Sequence, residues 1–89
     1  MIWTVELFPD AEKQYKRLAR NLRDRIRRAL AELEESENPL SHRQVIPLVG
    51  KLKGYHRLRV GDYRVIFEIL SSRKVIAVHL IVPRSQAYR

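Results

Sequence analysis

Hydrophobic and polar side chains alternate along residues 2–8, which read IWTVELF. A period of two is typical of a β-strand that buries one of its faces. Pro9 and Asp10 interrupt the pattern, and aspartate is one of the residue types that cap helices. The sequence therefore predicts a first strand that ends at Pro9 and a helix that Asp10 caps.

The period becomes helical after Pro9, because apolar residues recur three or four positions apart along 11–19 and again along 22–36. Each segment then carries one apolar stripe, as an amphipathic helix does. Asn21 stands between the segments and is predicted to cap the second helix. Residues 11–36 are therefore predicted to form a helical hairpin. The stripes consist of Ala11, Tyr15 and Leu18, and of Leu22, Ile26, Ala29, Leu30 and Leu33.

Several arginines of this hairpin lie mostly off the apolar stripes, and a run of glutamates at its end balances them. A solvated helix face accounts for such residues without any function, and this is the interpretation that we adopt. The arginines are Arg20, Arg23, Arg27 and Arg28, and the glutamates are Glu32, Glu34, Glu35 and Glu37.

Residues 37–50, ENPLSHRQVIPLVG, contain two prolines and two polar clusters. Such clusters interrupt both periodic patterns, so this segment is predicted to be a loop that crosses the molecule. Within the loop, residues 45–48 are predicted to form a short extended piece.

The period returns to two from residue 51 onward, in runs at about 51–60, 63–70 and 74–82. Gly61-Asp62 and Ser71-Ser72 separate the runs, which is typical of an antiparallel meander. The predicted fold class is α+β. A small antiparallel sheet, made of the N-terminal strand and the C-terminal three-stranded meander, carries the helical hairpin on one face. Its 89 residues are predicted to form a single domain, 1–89.

The two-residue Gly61-Asp62 loop fits a type II′ turn, which fixes the register of the hairpin. Val60 then faces Tyr63, Arg59 faces Arg64, and His56 faces Phe67. One sheet face carries His56, Leu58, Val60, Tyr63, Val65 and Phe67, and it is expected to receive the helices. The other face carries Tyr55, Arg57, Arg59, Arg64, Ile66 and Glu68, and it is expected to stay open.

Three arginines therefore share the open face of the hairpin. Like charges directly opposed destabilise a strand pair by a few tenths to ~1 kcal/mol, so a scaffold gains nothing from Arg59 opposite Arg64. A phosphate site does gain, because the anion supplies the missing counter-charge. The alternative is that Glu68 and Asp62 neutralise the cluster, although Lys51 and Lys53 add to its basic surplus.

The C-terminal residues extend this basic surface. Arg84 closes the last strand and is able to swing onto the same face, although strand parity does not decide it. Tyr88 is an aromatic residue beside these cations, which suits stacking on an RNA base. The alternative is that Tyr88 is a core residue or part of a frayed end.

The net charge of +8 sits entirely in the second half of the chain. Residues 1–42 hold eight basic and eight acidic side chains, whereas residues 43–89 hold ten basic and two acidic ones. This asymmetry indicates an anionic partner, nucleic acid first, although a generally basic protein without a dedicated partner is the alternative.

Other classes of chemistry find little support in the composition. The chain has no cysteine, which suits a cytosolic setting. Its longest apolar run, VIAVHLIV, is far shorter than the ~20 residues of a membrane helix. The three histidines lack metal-ligand spacing, and no glycine-rich phosphate loop is present. We therefore predict no metal, no cofactor and no membrane association.

The segments HRLRVGDYRVIFEI and PRSQAY, together with the order of elements, resemble the RelE/ParE toxin superfamily of type II toxin–antitoxin systems. The resemblance is to its RelE branch, close to archaeal members, and spans essentially the whole chain. It implies a cytoplasmic, metal-independent endoribonuclease that cuts mRNA in the ribosomal A site and so inhibits translation. It also implies attack by the ribose 2′-oxygen on the adjacent phosphate, and a cognate RelB-like antitoxin as partner.

The resemblance assigns roles to individual residues. Arg57 and Arg59 match the paired basic positions before the turn, Arg64 the arginine after it, Arg84 the one that closes the last strand, and Tyr88 the C-terminal tyrosine. Arg64 would clamp the scissile phosphate, and Arg84 would stabilise charge or protonate the leaving oxygen. Tyr88 would stack on a base or share in proton transfer.

The basic positions before the turn depart from well-known bacterial members, which carry lysines where Arg57 and Arg59 stand. Arginine stays protonated, so the general base is left open between Tyr88, ribosomal RNA and no residue at all. Two other functions also stay open. One is a ParE-like gyrase poison, and the other is a non-catalytic module that binds RNA or only its antitoxin.

Overall fold

The computed structural model describes residues 2–87 and divides them into two helices and five strands. The elements are β1 (Thr4–Leu7), α1 (Pro9–Arg17), α2 (Arg20–Glu35), β2 (Val45–Pro47), β3 (His56–Val60), β4 (Tyr63–Leu70) and β5 (Val75–Pro83). Short 3₁₀ turns occupy Pro39–Ser41, Gly50–Leu52, Ser71–Arg73 and Arg84–Gln86. The predicted α+β class is confirmed.

Both helices begin two residues earlier than the sequence pattern predicted. Phe8 is the N-cap of α1 and Pro9 its first residue, which suits proline because the first position needs no N–H. Asp10 therefore lies inside the first turn, where its negative charge interacts favourably with the helix dipole and stabilises the helix. The cap predicted at Asn21 is also wrong, because the extended backbone of Ala19 precedes a helix that starts at Arg20.

The strands form one sheet in the order β1-β5-β4-β3-β2. The β2–β3, β3–β4 and β4–β5 pairs are antiparallel, whereas β1 lies parallel to β5. Parallel neighbours need a crossover connection, and the helical hairpin provides part of it. The extended piece predicted at residues 45–48 is the edge strand β2.

The register of the β3–β4 hairpin is the predicted one at all five pairs, from Val60 opposite Tyr63 to His56 opposite Phe67. Gly61 has a φ of +58°, and Lys74 is the one non-glycine residue with positive φ among residues 2–87. Asp62 therefore has a negative φ, which agrees with the type II′ turn.

The helices pack on the sheet face that carries Leu58, Val65 and Phe67, as predicted. The main core also receives Trp3 from the start of the chain and Ile26 and Leu33 from α2, among other residues. The other face differs from the expectation of an open surface, because a smaller apolar cluster covers part of it. That cluster consists of Leu48, Ile66, Val82 and Ala87.

His56 carries a buried Nδ1 atom without a hydrogen-bond partner among the described residues. Its ring stacks on Phe67 with centroids 5.8 Å apart. Burial removes water from the ring and lowers the pKa of His56 below its usual 6.5. The unfolded chain therefore binds this proton more readily than the native protein does.

This difference predicts that stability falls as the pH drops from above 6.5 towards the lowered pKa of His56. At higher pH the ring is neutral in both states and contributes no pH dependence. His56→Phe keeps the stacking and removes the titrating group, so this part of the slope should disappear. Urea unfolding at a series of pH values between about 5.5 and 7.5 measures it. An unchanged slope in the variant would assign the effect to other groups.

Candidate active site

A cleft of about 540 Å³ opens where the turn between β3 and β4 meets α2 and the segment before β2. Four separate parts of the chain line it: α2, residues 42–44, residues 58–62 with 64, and residue 84. Five arginines and two carboxylates give the lining a formal excess of three positive charges. The charged residues are Arg25, Arg43, Arg59, Arg64, Arg84, Glu32 and Asp62.

Arg64 is the most enclosed of the cleft arginines, with 7% of its surface exposed. Its Nη1 donates to the carbonyl oxygens of Gly61 at 3.0 Å and Tyr63 at 2.9 Å. These bonds hold the guanidinium against the turn in a fixed orientation. The remaining nitrogens of Arg64 make no further hydrogen bond within residues 2–87, so they are available to an anion in the cleft.

Arg59 and Arg57 both contact the segment before β2. The Nε of Arg59 donates to Oε1 of Gln44 at 2.9 Å, and Nη1 of Arg57 donates to the Gln44 carbonyl at 3.2 Å. Arg59 lines the cleft directly opposite Arg64 in the register, whereas Arg57 is not among the described residues that line it. The structure therefore brings two of the three hairpin arginines together at the cleft.

Arg84 reaches the cleft because its backbone N–H donates to the carbonyl oxygen of Asp62 at 2.8 Å. This bond docks the C-terminal 3₁₀ turn on the β3–β4 turn and leaves the Arg84 side chain exposed at the cleft. Arg84 thus joins Arg59 and Arg64, as the sequence reasoning proposed. The predicted Tyr88 lies outside the described residues.

The strand predicted from about residue 51 begins only at His56, because a 3₁₀ turn occupies Gly50–Leu52. Lys51 and Lys53, predicted to bind substrate, are therefore exposed before the start of β3, at the end that lies far from the β3–β4 turn. Five residues of strand separate that end from the turn, a length of roughly 16 Å. Neither lysine is among the described residues that line the cleft.

Arg25 and Arg43 belong to the cleft but were missed in the sequence. Gly61 allows Arg25 to approach, because a Cβ atom at this glycine would lie 2.9 Å from the Arg25 Nη2. A helical spacing was the available signal: Arg25, Ala29 and Glu32 are four and three residues apart, and all three line the cleft. The arginines that we interpreted as a solvated helix face, Arg20, Arg23, Arg27 and Arg28, are not among these lining residues.

The cleft arginines form no ion pair with a carboxylate within residues 2–87. For Arg59 and Arg64, the alternative that Glu68 and Asp62 neutralise the hairpin finds no ion pair within residues 2–87. Glu68 instead contacts Nε2 of His79 at 3.0 Å, and Asp62 makes no ion pair in the described part of the chain. The guanidinium groups of the cleft are suited to an anionic ligand with several oxygens, because arginine binds such groups through two parallel hydrogen bonds.

Comparison with known families identifies the class of protein. A model described as the ParE toxin of type II toxin-antitoxin system, parDE, matches residues 2–88. The chain belongs to the RelE/ParE toxin superfamily. It is a toxin of a type II toxin–antitoxin system, and the resemblance found in the sequence is confirmed. A search of curated protein sequences found no significant match.

Solved structures place the toxin near RelE proteins. A chain of the archaeal RelE-RelB complex from Pyrococcus horikoshii OT3 has a TM-score of 0.77 and 30% identity, covering 98% of this toxin and 100% of that chain. The isolated E. coli RelE toxin has a TM-score of 0.74 and 19% identity, with coverages of 97% and 90%. The RelBE2 complex from Mycobacterium tuberculosis gives 0.67 and 22%, with coverages of 94% and 100%. The last two similarities show the fold alone.

None of the toxin's helices within residues 2–87 has the length and apolar character needed to span a membrane.

Proposed function

We propose that this toxin is a ribosome-dependent endoribonuclease that cleaves mRNA in the A site and so inhibits translation. The supporting observation is the cleft itself, where five arginines from four parts of the chain lack a carboxylate partner within residues 2–87. A phosphodiester and its neighbouring phosphates supply the missing negative charges. RNA is the substrate class that provides both these charges and an internal 2′-hydroxyl nucleophile.

The proposed reaction joins the ribose 2′-oxygen to the adjacent phosphorus and breaks the bond from that phosphorus to the 5′-oxygen. Negative charge builds up on the phosphoryl oxygens during this step. Arg64, held in place by the turn carbonyls, and the exposed Arg84 stabilise that charge, and Arg59 binds the phosphate. The products are a cyclic 2′,3′-phosphate and a free 5′-hydroxyl, and the proposal involves no metal.

The other residues predicted for the site have supporting roles in the proposal. Arg57, Lys51 and Lys53 contact RNA phosphates that flank the cleavage position. Tyr88 stacks on a base or shares in proton transfer.

The proposed partner is a cognate RelB-like antitoxin in the cytoplasm. Relatives of this toxin were crystallised as RelE-RelB and RelBE complexes. An antitoxin segment that covers or distorts the cationic cleft would exclude mRNA from it.

A second candidate function is poisoning of DNA gyrase, because the matching family model is described as a ParE toxin. A gyrase poison has no evident need for the arginine cleft as a reaction site, since its target is a protein. The two functions therefore differ in their target, which is mRNA for the endoribonuclease and DNA gyrase for the poison.

Three parallel reactions distinguish the candidate functions. Purified toxin is added to a translating extract, to the same mRNA without ribosomes, and to a gyrase supercoiling reaction. We expect cleavage of mRNA only when ribosomes are present, with 5′-hydroxyl ends mapped by primer extension. Failure of supercoiling with intact mRNA would establish the gyrase function instead. Intact mRNA with normal supercoiling would identify a non-catalytic binding module.

A further inference from the structure

The proposed cleavage needs a group that accepts the proton of the 2′-hydroxyl, and the cleft arginines do not provide one. Arginine side chains stay protonated in proteins, so Arg59, Arg64 and Arg84 bind and stabilise charge but cannot act as bases. Three described residues of the cleft lining are able to accept a proton: Glu32, His42 and Asp62. The contacts of each residue decide which of them acts as the base, and this assignment rests on the proposed function.

Glu32 and His42 form a fixed pair in the cleft wall. The Nδ1 of His42 accepts a hydrogen bond from the Gln44 backbone N–H at 3.1 Å, so the proton of the neutral ring sits on Nε2. That Nε2 donates to Oε1 of Glu32 at 2.8 Å. Both ring nitrogens of His42 are thereby occupied, which leaves the second oxygen of Glu32 for a ligand.

The two side chains differ in how far they reach into the cleft. The side chain of His42 is 17% exposed, whereas that of Glu32 is 65% exposed. The histidine is thus part of the wall, and the carboxylate projects from it towards the open cleft. We propose that Glu32 accepts the proton of the attacking 2′-hydroxyl and that His42 is the residue that positions it.

Asp62 is the competing carboxylate, and it lacks this support. It lies exposed in the β3–β4 turn, and its side chain makes no hydrogen bond or ion pair within residues 2–87. A catalytic base has to be held within hydrogen-bond reach of the proton that it removes. His42 holds the Glu32 carboxylate in one orientation at the cleft, whereas no hydrogen bond or ion pair within residues 2–87 orients the Asp62 side chain.

The step balances without a further reactant. The 2′-hydroxyl proton passes to Glu32, the 2′-oxygen bonds to phosphorus, and the bond from phosphorus to the 5′-oxygen breaks. The 5′-oxygen takes up a proton from solvent, and Glu32 later releases its proton to solvent. Neither oxidation nor a metal ion is needed.

Glu32→Gln is the decisive variant, because the amide keeps the shape of the side chain and still accepts the His42 hydrogen bond. We expect the single-turnover rate of cleavage on programmed ribosomes to fall by about 10²–10⁴-fold. Binding to ribosomes that carry a 2′-deoxy mRNA in the A site should be unchanged or tighter, since a negative charge leaves a cationic cleft. Glu37→Gln, which removes an exposed carboxylate two residues beyond the end of α2 and outside the cleft lining, should keep the wild-type rate.

His42→Phe tests the positioning role, because it keeps a ring and removes both hydrogen bonds. The rate should fall by about 10²-fold or less in the wild-type background. It should fall no further in the Glu32→Gln background, since a residue that acts through Glu32 shows this non-additivity. Additive losses in the double variant would overturn the positioning role.

Two other outcomes would overturn the assignment of Glu32. One is a wild-type rate in Glu32→Gln, and the other is a loss in Asp62→Asn or Tyr88→Phe that Glu32→Gln does not share. If wild-type toxin leaves mRNA intact on ribosomes, the proposed function fails instead. The two failures are therefore distinguishable.

Discussion

Arg84→Ala is expected to slow mRNA cleavage by about 10²–10³-fold, the usual loss when one donor to a developing oxyanion is removed. The Arg84 side chain is exposed at the cleft, and its segment is docked by the Arg84 backbone N–H, which donates to the carbonyl oxygen of Asp62 at 2.8 Å. Alanine keeps that bond, so the fold should survive. Single-turnover cleavage on programmed ribosomes, together with the thermal unfolding midpoint, measures both effects.

Arg28→Ala is the matched control for this variant. Arg28 is also an exposed arginine, but it lies on α2 and is not among the described residues of the cleft lining. The Arg28→Ala substitution removes the same charge as Arg84→Ala, so the long-range attraction between protein and RNA weakens equally in both variants. The control should keep the wild-type rate. Equal losses in the two variants would show that overall charge matters and that Arg84 has no particular role in the reaction.

Arg64 is less suitable for this test because it has a structural function as well. Its guanidinium is nearly buried and donates to the carbonyls of Gly61 and Tyr63. Truncation removes both hydrogen bonds to the turn, and a typical intramolecular hydrogen bond contributes about 0.5–1.5 kcal/mol to stability. A loss of cleavage in Arg64→Ala would therefore combine chemistry with a loosened turn. The opposition of Arg59 and Arg64 is tolerated in part because these carbonyls solvate one of the two charges.

Much of the fold was predictable because local rules fix it. A two-residue turn at Gly61 and Asp62 sets the register, and a slip by one residue would exchange the two faces of the hairpin. The helix starts were less predictable, since Asp10 and Asn21 are capping residue types that the chain does not use as caps. The parallel placement of β1 beside β5 depends on packing between distant segments, which no local pattern records.

The residues of the site were predictable only within the β3–β4 hairpin, where the strand register fixes which side chains face each other. The hairpin placed Arg59 opposite Arg64, but Lys51 and Lys53 lie before β3, in and just after the 3₁₀ turn Gly50–Leu52, and do not line the cleft. The helical arginines posed the opposite problem. Their charge suggested solvent exposure, and only the packing of α2 against Gly61 makes Arg25 a cleft residue. The same placement of α2 brings Glu32 to the cleft. In the sequence, Glu32 had been interpreted as one of the glutamates that balance the charge of the helical arginines.

Phe67→Ala is expected to reduce the free energy of unfolding by about 3–5 kcal/mol. Phe67 is fully buried in the main core and lies in the middle of β4, opposite His56, on whose ring it stacks. The loss combines the transfer free energy of the ring with a cavity that neighbouring strands and helices cannot fill. Small domains are stable by only about 5–15 kcal/mol, so a substantial fraction of that stability would disappear.

Urea denaturation measures the loss induced by Phe67→Ala, with Val49→Ala as its control. Val49 is 84% exposed, so its truncation should change the free energy of unfolding by no more than about 0.5 kcal/mol. A loss below about 1 kcal/mol in Phe67→Ala would contradict the packing described for the main core. The cleft depends on the same core, since Leu58 and Val60 belong to both. A destabilised Phe67 variant should therefore lose cleavage at temperatures where the Arg84 variant is still folded, which separates loss of the site from loss of one donor.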